Sequence, residues 1–310
     1  MFDSMSNIQF GSVSAADRSE LADEQAQAIV DLLCNSSIEL STNGEAAIRE
    51  GAAILPSGMS VYVPKMPRQT LTDKLVQIAL LRQYGLKPIP HVVARQLTSA
   101  QQLREFLQLA TNSYGVSRVL VIGGDDAASA GPFADAAAVI ASGILVEAGI
   151  REVDVAGYPD GHPQIPSGVL CADLEAKVSL AADQGLGLNV VTQFSFSPER
   201  VAEYCRDLAD IAPAVPVFAG LAGPTSPTQL LRFAKICGVG TSLRAANKLG
   251  LDALKLATHS SPDKQFEILA RRTAAQGSGN LTGVHLFSFG GFVTSAGWLD
   301  DKARRAGLGS

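Results

Sequence analysis

Short apolar runs alternate with amphipathic, helix-forming stretches along most of this 310-residue chain. A continuous apolar run bounded by turn residues indicates a strand that is buried on both faces, as in a parallel sheet. Capping residues and glycine stops delimit the helical stretches. The pattern predicts strands at 37–41, 59–63, 87–93, 119–122, 152–156, 188–193, 215–219 and 284–289. It predicts helices at 15–33, 45–52, 70–84, 98–112, 133–147, 173–184, 198–211, 226–236, 242–249 and 263–276.

Regular alternation of strand and helix requires parallel strands. Eight such units in a chain of this length predict an α/β protein with a single closed (β/α)8 barrel of the TIM type. Residues 1–35 then form an N-terminal extension with a lead-in helix, and residues 36–310 form the barrel, with extra helices before the last strand. A doubly wound open sheet is the alternative, but no GxGxxG sequence follows the first strand.

The fourth predicted strand, 119–122, runs directly into Gly123, Gly124, Asp125 and Asp126. Glycines at such a point let the backbone turn sharply and approach a ligand. Parallel α/β folds carry their chemistry at the carboxyl ends of strands, so the two acids follow a buried strand where a site is expected. The alternative interpretation is that one aspartate only caps the next helix.

Polar and aromatic side chains recur at the other predicted strand ends. The full set is Glu39, Tyr62, His91, Asp125, Tyr158, His162, Gln193, the loop 220–223 and Phe289. Carboxylates, imidazoles, an amide and aromatic rings suit acid–base chemistry on a planar, hydrogen-bonding ligand. Each residue also has a purely structural interpretation, as a solvated charge, a core histidine, a turn residue or a core aromatic. The set has no catalytic triad and no metal-ligand spacing, so no metal is predicted.

Composition and charge exclude several classes of function. The chain is 46% apolar and 18% charged, which is typical of a globular protein. A net charge of −5 argues against a broad nucleic-acid-binding surface. The four cysteines form no CxxC pair and are expected to be free thiols in a reducing compartment. No apolar run reaches membrane-spanning length and no signal pattern is present, so a soluble, cytoplasmic protein without a membrane partner is predicted.

Five short motifs, in a fixed order, resemble those of one enzyme family. The sequences IEL at 38–40, PH at 90–91 and GD at 124–125 are similar to that family's FEFFPP, PH and LRGD motifs. The sequences GYPDGHP at 157–163 and TQF at 192–194 are similar to its AYPExHPE and TQFFFD motifs. The family is the methylenetetrahydrofolate reductases, whose catalytic domain is a (β/α)8 barrel. The resemblance covers residues 36 to 200, and the barrel pattern extends it to about 290.

The family reduces 5,10-methylenetetrahydrofolate to 5-methyltetrahydrofolate with NADH or NADPH, usually through bound FAD. The resemblance therefore implies an oxidoreductase with tetrahydrofolate derivatives as its ligands. It implies that Glu39 is the general acid that protonates the folate nitrogen, and that Asp125 pairs with the pterin ring and tunes the redox centre. The implied substrate contacts are Gln193 and Asp125, with Tyr62 and Phe289 as aromatic neighbours. The implied cofactor contacts are His91, Gly124, Tyr158, His162 and Lys177.

Several positions depart from the residues that hold FAD in the family. Gly123 stands where LRGD has its arginine, and Lys177 is all that remains of a basic cluster on the helix after the loop 157–163. The FFPP sequence is replaced at 40–43, and Gly290 and Gly291 stand where the family has Asn-Arg. The FAD pyrophosphate needs donors or cations, and each lost charged hydrogen bond costs about 1.5–3 kcal/mol. We therefore predict that FAD binds weakly or not at all and that hydride passes directly from NADH or NADPH to the folate.

Two other classes of function stay open at this stage. A folate-binding or methyl-transferring partner protein could keep the pterin site without redox chemistry. A barrel lyase or aldolase could bind a phosphate at the loop 220–223, but that class often uses a strand-end lysine, and the predicted strand ends offer no obvious one. The sequence also leaves open the choice between NADH and NADPH and whether copies of the chain associate as a homo-oligomer.

Overall fold

A computed structural model describes residues 15–42, 44–65, 69–237, 239, 261–276 and 279–308. Eight parallel strands close into a barrel in the order in which they occur in the chain, which confirms the predicted (β/α)8 fold. The strands are β1 (Ser37–Glu39), β2 (Ser60–Val63), β3 (Lys87–Val93), β4 (Arg118–Ile122), β5 (Glu152–Gly157), β6 (Gly187–Thr192), β7 (Val217–Ala222) and β8 (Leu281–Phe287).

The described helices surround the barrel. They are α1 (Ala15–Cys34), α2 (Glu45–Ile54), α3 (Leu71–Gln83), α4 (Ala100–Tyr114), α5 (Ala136–Ala141), α6 (Ile144–Glu147), α7 (Ser167–Asp183), α8 (Pro198–Ile211), α9 (Pro227–Ile236), α10 (Asp263–Gln276) and α11 (Phe292–Arg305). Helix α1 packs against α10, β8 and α11, so the lead-in helix lies on the barrel. No helix within these described ranges is both long enough and apolar enough to cross a bilayer.

Several predicted boundaries were wrong. The single helix predicted at 133–147 is two short helices, because Gly143 adopts a left-handed conformation with φ of 75° between them. Helix α7 begins at Ser167, directly after Pro166, which is well before the predicted start at 173. Residues 220–222 belong to β7 and are not a loop. Helix α11 was not predicted, and the helix predicted at 242–249 lies outside the described residues.

A buried polar cluster fills the barrel at its amino-terminal end. Arg118 Nε donates to both carboxylate oxygens of Asp154, at 2.7 and 2.9 Å, and the Tyr62 hydroxyl donates to the same carboxylate at 2.7 Å. Asn189 Nδ2 also donates to Asp154, at 3.0 Å. Pairing of this kind is what makes a fully buried carboxylate tolerable. Because Arg118 is the first residue of β4, this cluster leaves the opposite, carboxyl-terminal end of the barrel for chemistry.

Candidate functional site

Glu39 lies at the carboxyl-terminal rim of the barrel, as predicted from its position at a strand end. It is the last residue of β1, and its side chain is 19% exposed. Strand β1 pairs with β8, and this pairing places Ser37 opposite His285. The Glu39 Oε2 atom lies 3.7 Å from His285 Nε2, and the Ser37 Oγ atom lies 3.0 Å from His285 Nδ1. The candidate acid thus has a buried imidazole behind it.

Glu39, Asp125 and Gln193 all interact with one thiol, that of Cys237, which directly follows the last residue of α9. Burial, and after it the nearby carboxylates of Glu39 and Asp125, raise the pKa of the Cys237 thiol to about 11, while a hydrogen bond with the Gln193 side chain opposes the shift. The Gln193 Oε1 atom accepts from the backbone N–H of Phe194 at 3.0 Å, so the amide nitrogen is the end that is able to donate. The three residues at the centre of the predicted site therefore all act on the same thiol.

The turn after β4 holds Asp125 in an exposed position on this rim. Gly124 has a φ of 94°, and a Cβ atom at this position would lie 2.7 Å from Val93 Cγ1. Arg95, two residues after the end of β3, supports this turn, because its backbone N–H donates to the Gly123 carbonyl at 3.0 Å and its guanidinium donates to the Asp126 carbonyl at 3.0 Å. Only glycine satisfies both the left-handed backbone and the close approach of Val93 at position 124.

A Gly124→Ala substitution is expected to lower the free energy of unfolding by about 1–3 kcal/mol, because alanine pays for a left-handed backbone and also displaces Val93. The matched control is Gly123→Ala, since no atom lies within 4 Å of a Cβ at Gly123 and its φ is not positive. Denaturant unfolding of the two variants measures the difference. Equal stability of the two variants would contradict the conformational requirement at Gly124.

The loop after β5 forms a second wall of the rim. Tyr158 and His162 contact each other edge to face, with ring centroids 5.2 Å apart. Burial raises the pKa of the Tyr158 hydroxyl, and the carboxylates of Asp125 and Asp173 add to the shift, which places this ring near Asp125. Lys177 is buried in α7 and is ion-paired with Asp173 one turn earlier. Its ammonium is therefore already engaged within the helix instead of presented to a cofactor.

Two other predicted contacts lie deeper than expected. Tyr62 is 1% exposed and its hydroxyl is bonded within the Asp154 cluster, so this ring lies beneath the rim, and its contact with substrate stays a prediction. His91 is two residues before the end of β3 and is also buried, with its ring 6.1 Å from that of Tyr62. Burial lowers the pKa of His91 well below its usual value, and electrostatic interaction with the nearby Lys74 and His285 side chains lowers it further. His91 is therefore an uncharged side chain of the barrel interior.

Aromatic side chains line the rim between β6 and β8. Phe289 stacks on Phe233 with ring centroids 4.1 Å apart and planes 11° apart, and it lies nearly parallel to Phe287 at 5.6 Å. Phe194 contacts Phe289 edge to face at 5.0 Å. An aromatic surface beside carboxylates and an amide suits a flat heterocycle with polar edges. Phe289, predicted as a substrate contact, is half-buried and stacks on both Phe233 and Phe287.

The cations on the β3 to β6 side of the rim do not fit the pyrophosphate of FAD. The Arg95 guanidinium is occupied by backbone carbonyls of the β4–α5 segment, at 2.9 and 3.0 Å. Lys177 is paired with Asp173, and Arg200 lies 3.8 Å from Asp160. A pyrophosphate would have to compete with these acceptors and would also meet the exposed acids of this rim.

Three side chains of the site were missed by the sequence analysis, namely Ser37, Cys237 and His285. The period-two alternation of a strand places Ser37 on the same face as Glu39, so that residue could have been found from the sequence. The alternation of side chains along a strand does not show that β8 pairs with β1, nor that α9 ends over the rim. His285 and Cys237 therefore required the closed barrel.

Comparison with known proteins bears on both the fold and the motifs. The family model described as methylenetetrahydrofolate reductase matches residues 45–250, a stretch that includes Asp125 and Gln193 and begins after Glu39. A Clostridium thermocellum protein described as binding two copies of 5-methyl-5,6,7,8-tetrahydrofolic acid is 14% identical, with 89% of this chain and 97% of that chain covered and a TM-score of 0.53. A type I 3-dehydroquinate dehydratase from Clostridium difficile is 10% identical, with 59% of this chain and 73% of that chain covered and a TM-score of 0.39. At these identities the first structural match shows a shared fold alone, and the second carries no argument.

Proposed function

This chain belongs to the methylenetetrahydrofolate reductase family, and from that premise we propose that it interconverts 5,10-methylenetetrahydrofolate and 5-methyltetrahydrofolate with NADH or NADPH. The observation that carries the proposal is that Glu39 ends β1, Asp125 and Gln193 follow the ends of β4 and β6 at the same rim, and all three act on the Cys237 thiol. A pterin ring presents hydrogen-bonding edges and two apolar faces. Two carboxylates and an amide beside a stack of phenylalanine rings match both features.

Glu39 is the proposed general acid. Its proton passes to one of the two folate nitrogens that the methylene carbon bridges, the bond between that nitrogen and the carbon breaks, and an iminium ion forms on the other nitrogen. Hydride from the reduced nicotinamide then adds to this carbon, which yields the methyl group and the oxidised nicotinamide. Partial exposure of Glu39, at 19%, lets the carboxylate recover its proton from solvent after each turnover.

Asp125 and Gln193 orient the pterin and stabilise charge in this proposal. The Asp125 carboxylate accepts hydrogen bonds from the pterin amine and ring N–H groups, and its negative charge favours the cationic iminium ion. Gln193 Nε2 donates to a pterin acceptor, because Oε1 already accepts from Phe194. Tyr158 and His162 border Asp125 and limit the positions that a ring can take on that side.

Direct hydride transfer without FAD is part of the same proposal. The cations Arg95, Lys177 and Arg200 already have partners within the protein, which supports this proposal, because a tightly held FAD needs donors for its pyrophosphate. A nicotinamide substrate that leaves after each turnover needs only weak binding. The absorbance spectrum of the purified protein checks this point. We expect no flavin bands and full activity without added FAD; a stoichiometric flavin chromophore would overturn direct transfer.

The proposed function is tested by following oxidation of NADH and NADPH in the presence of 5,10-methylenetetrahydrofolate, together with formation of 5-methyltetrahydrofolate. We expect stoichiometric turnover with at least one of the two nicotinamides. Tight binding of 5-methyltetrahydrofolate without turnover, and without any effect of nicotinamide, would instead favour a folate-binding partner protein. Absence of both turnover and folate binding would overturn the pterin site itself.

A further inference from the structure

A buried polar pair lies directly behind Glu39 and is not among the groups that contact the folate in the proposed reaction. His285 is 1% exposed, and its ring is held edge to face by Tyr62 at 4.5 Å and by Phe287 at 4.7 Å. Ser37 is 3% exposed, and its Oγ lies 3.0 Å from His285 Nδ1. The other ring nitrogen, Nε2, faces Glu39 Oε2 at 3.7 Å. The imidazole therefore joins the serine hydroxyl to the proposed acid.

The hydroxyl of Ser37 decides which imidazole nitrogen carries the proton. Among the residues that the structure describes, His285 Nδ1 is the acceptor within reach of this buried hydroxyl. A buried hydroxyl that donates to no acceptor costs free energy, so the Ser37 O–H donates to Nδ1. Nδ1 then presents its lone pair, and the ring proton is on Nε2. The N–H bond of His285 consequently points at Glu39.

From this geometry we propose that His285, with its proton fixed on Nε2 by Ser37, is a positioning residue that donates to Glu39 Oε2 and keeps the transferable proton on Oε1. The proposal rests on the function proposed above for Glu39. The 3.7 Å separation is longer than a hydrogen bond. Catalytic hydrogen bonds commonly shorten only when substrate is bound.

The consequence for the reaction follows from the two carboxyl oxygens of Glu39. When Oε2 accepts from His285, the carboxylic acid proton resides on Oε1 and faces the folate nitrogen. After transfer, Glu39 is a carboxylate, and the same N–H bond stabilises its negative charge. This donor therefore stabilises the carboxylate that is left when the proton passes to the folate nitrogen. His285 itself neither gains nor loses a proton.

The first test reads the tautomer in the absence of any substrate. The chain has four histidines, so ¹⁵N-histidine labelling gives a simple spectrum in which the His285→Gln variant identifies the His285 signals. We expect a neutral ring with its proton on Nε2 in the unmodified protein, and a mixture of tautomers in Ser37→Ala. A proton on Nδ1, or a doubly protonated ring, would overturn the proposal.

The second test uses two substitutions that differ in the donor they retain. His285→Gln places an amide nitrogen near the position of Nε2, whereas His285→Phe keeps a flat ring without a donor. We expect His285→Phe to lower kcat roughly 10- to 100-fold with little change in KM, the effect of losing one hydrogen bond to a charged group. His285→Gln should retain most of the rate. Equal rates in the two variants would contradict a donor role.

The pH profile separates positioning from a structural role. His285→Phe removes the donor that stabilises the carboxylate product of the proton transfer, so the limb on which activity falls with rising pH should move to higher pH in this variant. Cys237 on α9 and Asp125 after β4 also face Glu39, while Tyr62 on β2 and His91 on β3 surround His285. The profile is therefore repeated in a Cys237→Ser background, where the same displacement is expected. An unmoved limb would count against the proposal.

The tautomer of His285 and the activity of His285→Phe also separate this inference from the proposed function. Absence of turnover in the unmodified protein means that the proposed function is wrong, whatever the tautomer. Turnover in the unmodified protein combined with the wrong tautomer, or with undiminished activity of His285→Phe, means that the reaction is right and the role of His285 is wrong.

Discussion

Replacing Glu39 with glutamine is expected to lower kcat for methylenetetrahydrofolate reduction by roughly 10²- to 10⁴-fold, the usual contribution of a positioned general acid. Glutamine preserves the size of the side chain and its position beside His285, but its amide has no proton to transfer. Binding of 5-methyltetrahydrofolate should change little, because that product needs no proton from Glu39. Steady-state kinetics and a binding titration on the same preparation measure both quantities.

The matched control for this substitution is Glu45→Gln. Glu45 is an exposed residue at the start of α2, in the segment that directly follows Glu39 in the chain. We expect it to retain the unmodified rate. If Glu39→Gln were fully active, the acid would have to be another group of the rim, and Asp125→Asn would be the next variant to measure.

The second large effect is expected for substitution of Lys74, which should change the free energy of unfolding and not catalysis. This lysine of α3 is 1% exposed, and its Nζ donates to the backbone carbonyl of His91 at 2.6 Å. It lines a cavity of about 230 Å³ that also contains Lys65. Burial, and after it the positive charge of Lys65, lower the pKa of Lys74 from 10.5 to about 7. The folded protein therefore disfavours the charged amine that the unfolded chain carries.

The free energy of unfolding is expected to rise with pH across this window. Between pH 7 and pH 10.5 the unfolded chain holds a proton on Lys74 that the folded protein has lost, so stability increases as pH rises toward 10.5 and is lost as pH falls toward 7. Over the whole window the change amounts to about 5 kcal/mol. Lys74→Met removes the dependence and should stabilise the protein at neutral pH by about 3–4 kcal/mol, after loss of the hydrogen bond to His91.

Denaturant unfolding at several pH values tests this prediction. The quantity compared is the difference in the free energy of unfolding between the unmodified protein and Lys74→Met, in which the contributions of other titrating groups cancel. Lys264→Met, at an exposed position of α10, controls for the loss of a lysine. It should leave both the stability and its pH dependence almost unchanged. Parallel pH curves for the unmodified protein and Lys74→Met would show that the Lys74 amine is charged in the folded state.

The local sequence pattern determined the secondary-structure elements and the end of the barrel at which chemistry is expected. Apolar runs that end in glycine or a polar residue located the eight strands. Because parallel strands place all their carboxyl ends on one rim, the sequence alone predicts Glu39, Asp125 and Gln193 on the same rim. The same pattern was sufficient to find α11, because Phe292, Ala296 and Leu299 are buried at helical spacing.

The sequence did not show how deep within the barrel each side chain lies. Tyr62 and His91 lie close to the ends of their strands, as Glu39 does, yet both are buried beneath the rim. Alternation says which face of the sheet a side chain occupies, but its height along the axis depends on how far each strand is staggered against its neighbours. The sequence also did not predict the ion pair between Lys177 and Asp173, because that pair depends on side-chain geometry.

What the sequence by itself determined is therefore the (β/α)8 architecture, the family motifs and the acid, carboxylate and amide at the strand ends. Only the tertiary structure decided what surrounds them. Ser37 and His285 are 248 positions apart and meet because the last strand closes against the first. Cys237 reaches Glu39, Asp125 and Gln193 because α9 ends over the rim. Contacts of this kind depend on barrel closure and register, which are properties of the whole chain and not of any local pattern.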